Sequence, residues 1–139
     1  MENAIEKNAC ESNEEKTDER LLSKAMEASV RFLERHDYEV LDPDYDQDGE
    51  RLVVARDEDG AIVFVNVAVN ALEASDLPEE DRTHGKRSRL ERAGAKWLTE
   101  NVPESDVAIR FDYISMLLVS ADRVFLRHHI NAFGSDWPE

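Results

Sequence analysis

The stretch RLVVARDEDGAIVFVNVAV, Arg51 to Val69, decides the fold. Arg51–Arg56 is a short apolar run rich in valine, and Asp57–Gly60 (DEDG) is a turn signal. Ala61–Val69 then runs back, so the two runs predict a hairpin. Side chains on a strand alternate between its two faces. Val63, Val65, Val67 and Val69 therefore share one apolar face, while Phe64, Asn66, Ala68 and Asn70 share the other. Two asparagines and an alanine on a strand otherwise suited to burial call for a reason.

Working outward, Thr17 or Asp18 to His36 has helical spacing, with Leu21, Leu22, Ala25, Ala28, Ser29, Phe32 and Leu33 on one stripe. Tyr38–Leu41 reads as a short strand and DPDYDQDG, Asp42–Gly49, as a loop broken by Pro43 and Gly49. A polar loop follows the hairpin. A second helix is expected from Thr83, as N-cap, to Asn101, with Leu90, Ala93, Gly94, Trp97 and Leu98 inward. Gly94 costs a helix about 1 kcal/mol against alanine, which a close helix–sheet contact would explain. VAIRFDYISMLLVS and RVFLRHHI read as two more strands. The order α-β-β-β-α-β-β predicts an α/β domain, a mixed sheet flanked by helices. Residues 1–17 read as a disordered acidic tail, 18–134 as the domain and 135–139 as a C-terminal tail.

The chain has 139 residues, 41% hydrophobic and 35% charged, with a net charge of -15. That charge argues against a generally basic nucleic-acid binder and favours a cationic or neutral partner. Cys10 is the single cysteine, so no internal disulfide can form and a reducing, cytoplasmic setting is expected. No signal-peptide core and no membrane-length apolar run is visible, so no membrane partner is expected.

Asp44, Asp46, Asp48 and Gly49 match the first half of a calcium loop, but the position of the closing bidentate Glu is Ala55. A solvated acidic turn is the plainer reading, and weak magnesium or calcium binding the alternative. Arg82, Lys86, Arg87, Arg89, Arg92 and Lys96 form the one strongly basic stretch, opposed only by Glu91. It reads either as a phosphate-contacting patch on DNA or RNA or as a solvated helix face. His128 and His129 are adjacent on a strand and should point to opposite faces, so they do not share a metal.

From about Leu21 to Phe133 the chain resembles the YraN-like endonuclease-fold proteins, relatives of restriction endonucleases and Holliday-junction resolvases. MEASVRFLERHDYEVL is similar to that family's opening helix and strand, and GERLVVARDEDGAIVFVNVAV to its Gly-Glu-Ile-Asp-Leu-Ile-Ala hairpin ending in Phe-Val-Glu-Val-Lys. KRSRLERAGAKWL, RFDYISM and HHINAF are similar to its second helix and closing segments. The resemblance implies a restriction-endonuclease-like fold whose Asp, Glu and Lys assist magnesium-dependent cleavage of a phosphodiester. Here those positions hold Leu52, Asn66 and Ala68, and a first-helix Glu position holds Met26, with Glu27 one residue off. Glu50 and Asp112 match the pattern, Asp112 in an expected structural role. The chain is therefore expected to be a catalytically inactive member that binds nucleic acid through Arg82–Lys96 and needs no cofactor. One alternative is a weak magnesium-dependent nuclease using Glu50, Glu27 or the Asp44–Asp48 loop. The other is a protein-interaction module.

Overall fold

The computed structural model describes residues 2–47, 49–71, 77–78, 83–102, 106–120 and 123–132, with side chains from residue 19 onward except that of residue 84. Its elements are α1 (Glu2–Arg35), β1 (Glu39–Gln47), β2 (Glu50–Arg56), β3 (Ile62–Ala71), α2 (His84–Asn101), β4 (Ile109–Ser120) and β5 (Arg123–His129). They follow the order read from the sequence. The five strands form one sheet, β1-β2-β3-β4-β5. Its β1–β2, β2–β3 and β4–β5 pairs are antiparallel and β3–β4 is parallel. A parallel neighbour requires a crossover, and α2 supplies it.

Strand alternation splits the core in two. Val53, Ala55, Val63, Val65, Val67, Ile114 and Met116 pack under α1 with Ala25, Met26 and Leu33. Leu52, Val54, Ile62 and Phe64 pack under α2 with Leu90, Ala93 and Trp97. The valine row of β3 thus faces α1, as the alternation predicts. Ser29 is fully buried in the α1 layer, and its Oγ donates to the Ala25 carbonyl at 2.8 Å, which satisfies a hydroxyl that burial would otherwise penalise.

Two elements are longer than the sequence reading places them. The backbone of α1 is helical from Glu2, ahead of the apolar stripe, through a segment without Pro or Gly and rich in the helix formers Ala, Glu and Lys. β1 continues to Gln47 through the expected acidic loop. Pro43 is compatible with that position because β1 is an edge strand, where a missing N–H removes no ladder bond. The pairing shifts register between Val40 and Asp42 and again between Asp42 and Tyr45.

α2 begins and ends where the spacing predicts. Thr83 is its N-cap and accepts from the Lys86 N–H at 3.2 Å. A Cβ on Gly94 would stand 3.2 Å from Phe111 Cζ and 3.3 Å from Phe64 Cε2. The absent side chain lets the helix approach two stacked rings, Phe64 and Phe111, whose centroids are 5.4 Å apart.

Candidate functional site

The register builds one row across the α2 side of the sheet. Tyr45 pairs with Leu52, Leu52 with Asn66, Asn66 with Tyr113, and Tyr113 with His129. Leu52 is fully buried against the α2 layer, while Asn66 and Ala68 are half-buried. The hairpin therefore brings Leu52 and Asn66 side by side, with Ala68 two residues along the same face.

Glu50 lies on this face two residues from Leu52, and it is the buried carboxylate of the region. Both of its oxygens are engaged by α2. Lys86 Nζ donates to Oε2, and Arg89 Nε donates to Oε1 at 2.9 Å. Lys86 and Arg89, three apart, occupy one helix flank, which aims both cations at the same strand. The basic stretch is thus partly neutralised from within: Arg87 also pairs with Glu91 at 3.4 Å. Arg92 and Lys96 are exposed, with no ion pair among the described residues. Arg82 lies outside the described residues.

The remaining expected ligands do not converge here. Met26 packs in the α1 layer, across the sheet from Leu52, and Glu27 is exposed on the same helix. Neither residue therefore reaches the Leu52–Asn66 face, because odd and even strand residues point to opposite sides. The calcium-loop reading meets a strand instead of a loop. Asp44 takes Arg51 in a two-pronged pair, Nε to Oδ1 at 3.1 Å and Nη2 to Oδ2 at 2.5 Å. An extended backbone does not wrap its oxygens round an ion. Asp46 is exposed on the same strand, and Asp48 lies outside the described residues. Among the described residues, no three His, Cys, Asp or Glu side chains are grouped to hold a metal. The groups at the hairpin do not fit a hard divalent cation: Leu52 and Ala68 carry no donor, and Asn66 carries a neutral amide.

A second polar network lies on the α1 side. Arg110 Nε and Nη2 donate to the two oxygens of Asp112 at 2.8 and 3.0 Å, Nη1 to Asp57 at 2.9 Å, and Nη2 also to the Tyr38 hydroxyl at 2.8 Å. Asp112 has no exposed side-chain surface. It further accepts from His128 Nε2 and from the Asn131 N–H, each at 2.8 Å. Burial raises the pKa of such a carboxyl. The bonds from His128, Arg110 and Asn131 outweigh that and hold Asp112 below the usual range. Burial also pushes the Tyr38 phenol up, against the opposing charge of Arg110. Asp57 closes the β2–β3 turn by accepting from the Asp59 and Ala61 N–H groups. The network therefore joins that turn, the entry to β1, β4 and the chain leaving β5. This agrees with the structural role expected of Asp112, and His128 and His129 do point to opposite faces. Sequence reading missed the partners. The available signal was Arg110 and Asp112 two apart on a strand, hence on one face.

None of the described helices is long and apolar enough to cross a membrane. A family model described as an uncharacterised protein family, UPF0102, matches residues 26–116, from Met26 through the hairpin, α2 and most of β4. A UPF0102 protein of Geobacter metallireducens is 33% identical over 112 residues, covering 80% of this chain and 89% of its own length. One from Geobacter sulfurreducens is 32% identical over 106 residues, covering 76% and 81%. A third, from Trichlorobacter lovleyi, is 29% identical over 108 residues, covering 77% and 84%. The family match runs from the first helix to the fourth strand of the mixed sheet. The chain belongs to the UPF0102 family.

Proposed function

We propose that this chain is a non-cleaving member of a nuclease-fold family, one that binds its partner without hydrolysing it. The observation that carries the reading is the pairing of Leu52 with Asn66, with Ala68 beside them. At the three positions where the resemblance implies an Asp, a Glu and a Lys, no carboxylate or ammonium group is offered. Metal-assisted hydrolysis needs anionic oxygens to hold the ion and a cation to offset developing charge. A buried leucine supplies neither.

The weak-nuclease alternative rests on Glu50, which is on the correct face. Its two oxygens are already bonded to Lys86 and Arg89, so metal ligation would first break a partly buried ion triad. Nucleic-acid contact is supported by the exposed cations of α2: Arg92, Lys96 and the half-exposed Arg89. The net charge of -15 opposes it at long range.

Two assays test the reading. Incubation with labelled duplex, branched and single-stranded DNA and with RNA, in magnesium or manganese, should give no cleavage products. Fluorescence anisotropy against the same strands should give affinity that falls steeply with salt and weakens with Arg92→Glu/Lys96→Glu. Metal-dependent turnover by the unaltered chain would refute the non-cleaving role. Salt-insensitive or absent binding would remove nucleic acid as the partner.

A further inference from the structure

The two edges of the sheet are built differently. β1 is blunted: it carries Pro43, two register irregularities and Asp42, Asp44 and Asp46, all devices that discourage another strand. β5 carries no proline and no acidic residue, and its pairing with β4 is continuous from Val124 to His129, with one register shift at the Arg123 end, between Leu118 and Ser120 of β4. Its outer backbone groups face no strand among the described residues.

Both faces of this edge are prepared for a neighbour. Phe125 is 57% exposed and Val124 42% exposed, although strand alternation places them on opposite sides of the sheet. A ligand lying on one face would cover only one of them. A sixth strand would flank both. On the α2 side the row reads Phe125, Arg127, and on the α1 side Val124, Leu126; alternation along β5 puts Arg123, which pairs with Ser120 beyond the register shift, on the Phe125 side. Arg123 and Arg127 are exposed and have no ion pair among the described residues. On the α1 side, a cleft of about 240 Å³ reaches from Lys24 and Ala28 over Met116 and Leu118 to Val124. It offers room for apolar side chains entering beside β5.

We propose that β5 is a strand-addition site for an extended partner segment that alternates acidic with β-branched apolar residues. Such a segment places its carboxylates beside Arg123 and Arg127 and its apolar side chains beside Val124, Leu126 and the cleft. Main-chain bonds supply affinity and the alternate side chains supply specificity. Charge argues against a second copy as occupant, because edge-to-edge pairing would set two Arg123–Arg127 rows against each other. The overall negative charge does not decide the contact, since screening limits its reach to about 8 Å at physiological salt. The site is independent of the nuclease-fold reading. Cleavage concerns the Leu52–Asn66 face, so either proposal can fail alone.

The test uses the full chain, isotopically labelled, titrated with a capped octapeptide of alternating glutamate and valine. A lysine–valine octapeptide is the control. The glutamate peptide should slow amide exchange specifically across residues 123–129. Arg123→Glu/Arg127→Glu should weaken that peptide by roughly tenfold and make the lysine peptide the better ligand. These side chains are exposed and have no ion pair among the described residues, so the variant should keep its amide spectrum outside β5. Three results would overturn the proposal: no protection of β5, binding indifferent to the charge reversal, or a β5-mediated dimer of the chain without peptide.

Discussion

Leu52 and Asn66 are direct partners on antiparallel β2 and β3, and their side chains share the α2 face of the sheet. Leucine there is core: it is fully buried with Val54, Phe64, Leu90 and Trp97. Where a cation-binding carboxylate is implied by resemblance, hydrophobic packing has taken its place. The charged groups of the face lie two residues away, at Glu50 and the cations of α2 that hold it.

Those two bonds make Glu50 a structural group. Glu50→Gln should leave Lys86, 17% exposed, and Arg89 without a countercharge and cost about 3 kcal/mol. Lys86→Met should cost a similar amount. The double variant should cost clearly less than the sum, because both changes break one interaction. Urea unfolding of the four proteins checks this. Strict additivity would mean that the pair contributes no coupling.

Asp112 should dominate the acid limb of stability. Its carboxyl pKa is lower folded than unfolded, so it stabilises the protein fully above the unfolded value, about 3.9. That contribution is lost as pH falls through the lower folded value. Asp112→Asn should cost about 3–5 kcal/mol at neutral pH by removing the buried countercharge of Arg110 and replacing one of its two acceptor oxygens with an NH2 donor. It should also flatten the fall in stability below about pH 4. Unfolding midpoints measured from neutral pH into acid show both effects or neither.

Gly94→Ala sets two effects against each other. Helix propensity favours alanine by about 1 kcal/mol. The added methyl would meet the Phe111 and Phe64 rings at 3.2–3.3 Å, and overpacking of this kind costs typically about 1–3 kcal/mol. Phe64 is fully buried and also meets Trp97 edge-on at 5.9 Å, so it has little room to retreat. The net expectation is a loss of about 1 kcal/mol. Thermal unfolding that shows a gain would place the helix–sheet contact looser than described.

Periodicity made much of this architecture legible. The valine row of β3, the DEDG turn, the Thr83 cap and the crowding at Gly94 all follow from local rules, and the structure bears them out. Three features did not. Pro43 and its acidic neighbours look like a loop until β1 is known to be an edge, where a proline is tolerated. α1 extends beyond its apolar stripe because the stripe records packing, whereas Ala, Glu and Lys without Pro or Gly sustain helical backbone alone. Glu50 and Lys86 are 36 residues apart, and nothing local to either announces the other. The resemblance identified which positions to inspect, but only the register showed that Leu52 and Asn66 meet while Met26 lies across the sheet.

The most direct measurement is a calorimetric titration of the chain with manganese, alongside Leu52→Asp/Asn66→Glu/Ala68→Lys. The account predicts no site tighter than millimolar in the unaltered protein. In the triple variant, manganese should raise the unfolding temperature, since an ion that binds only the folded state stabilises it. A submillimolar site in the unaltered protein that disappears with Asn66→Ala would contradict the account.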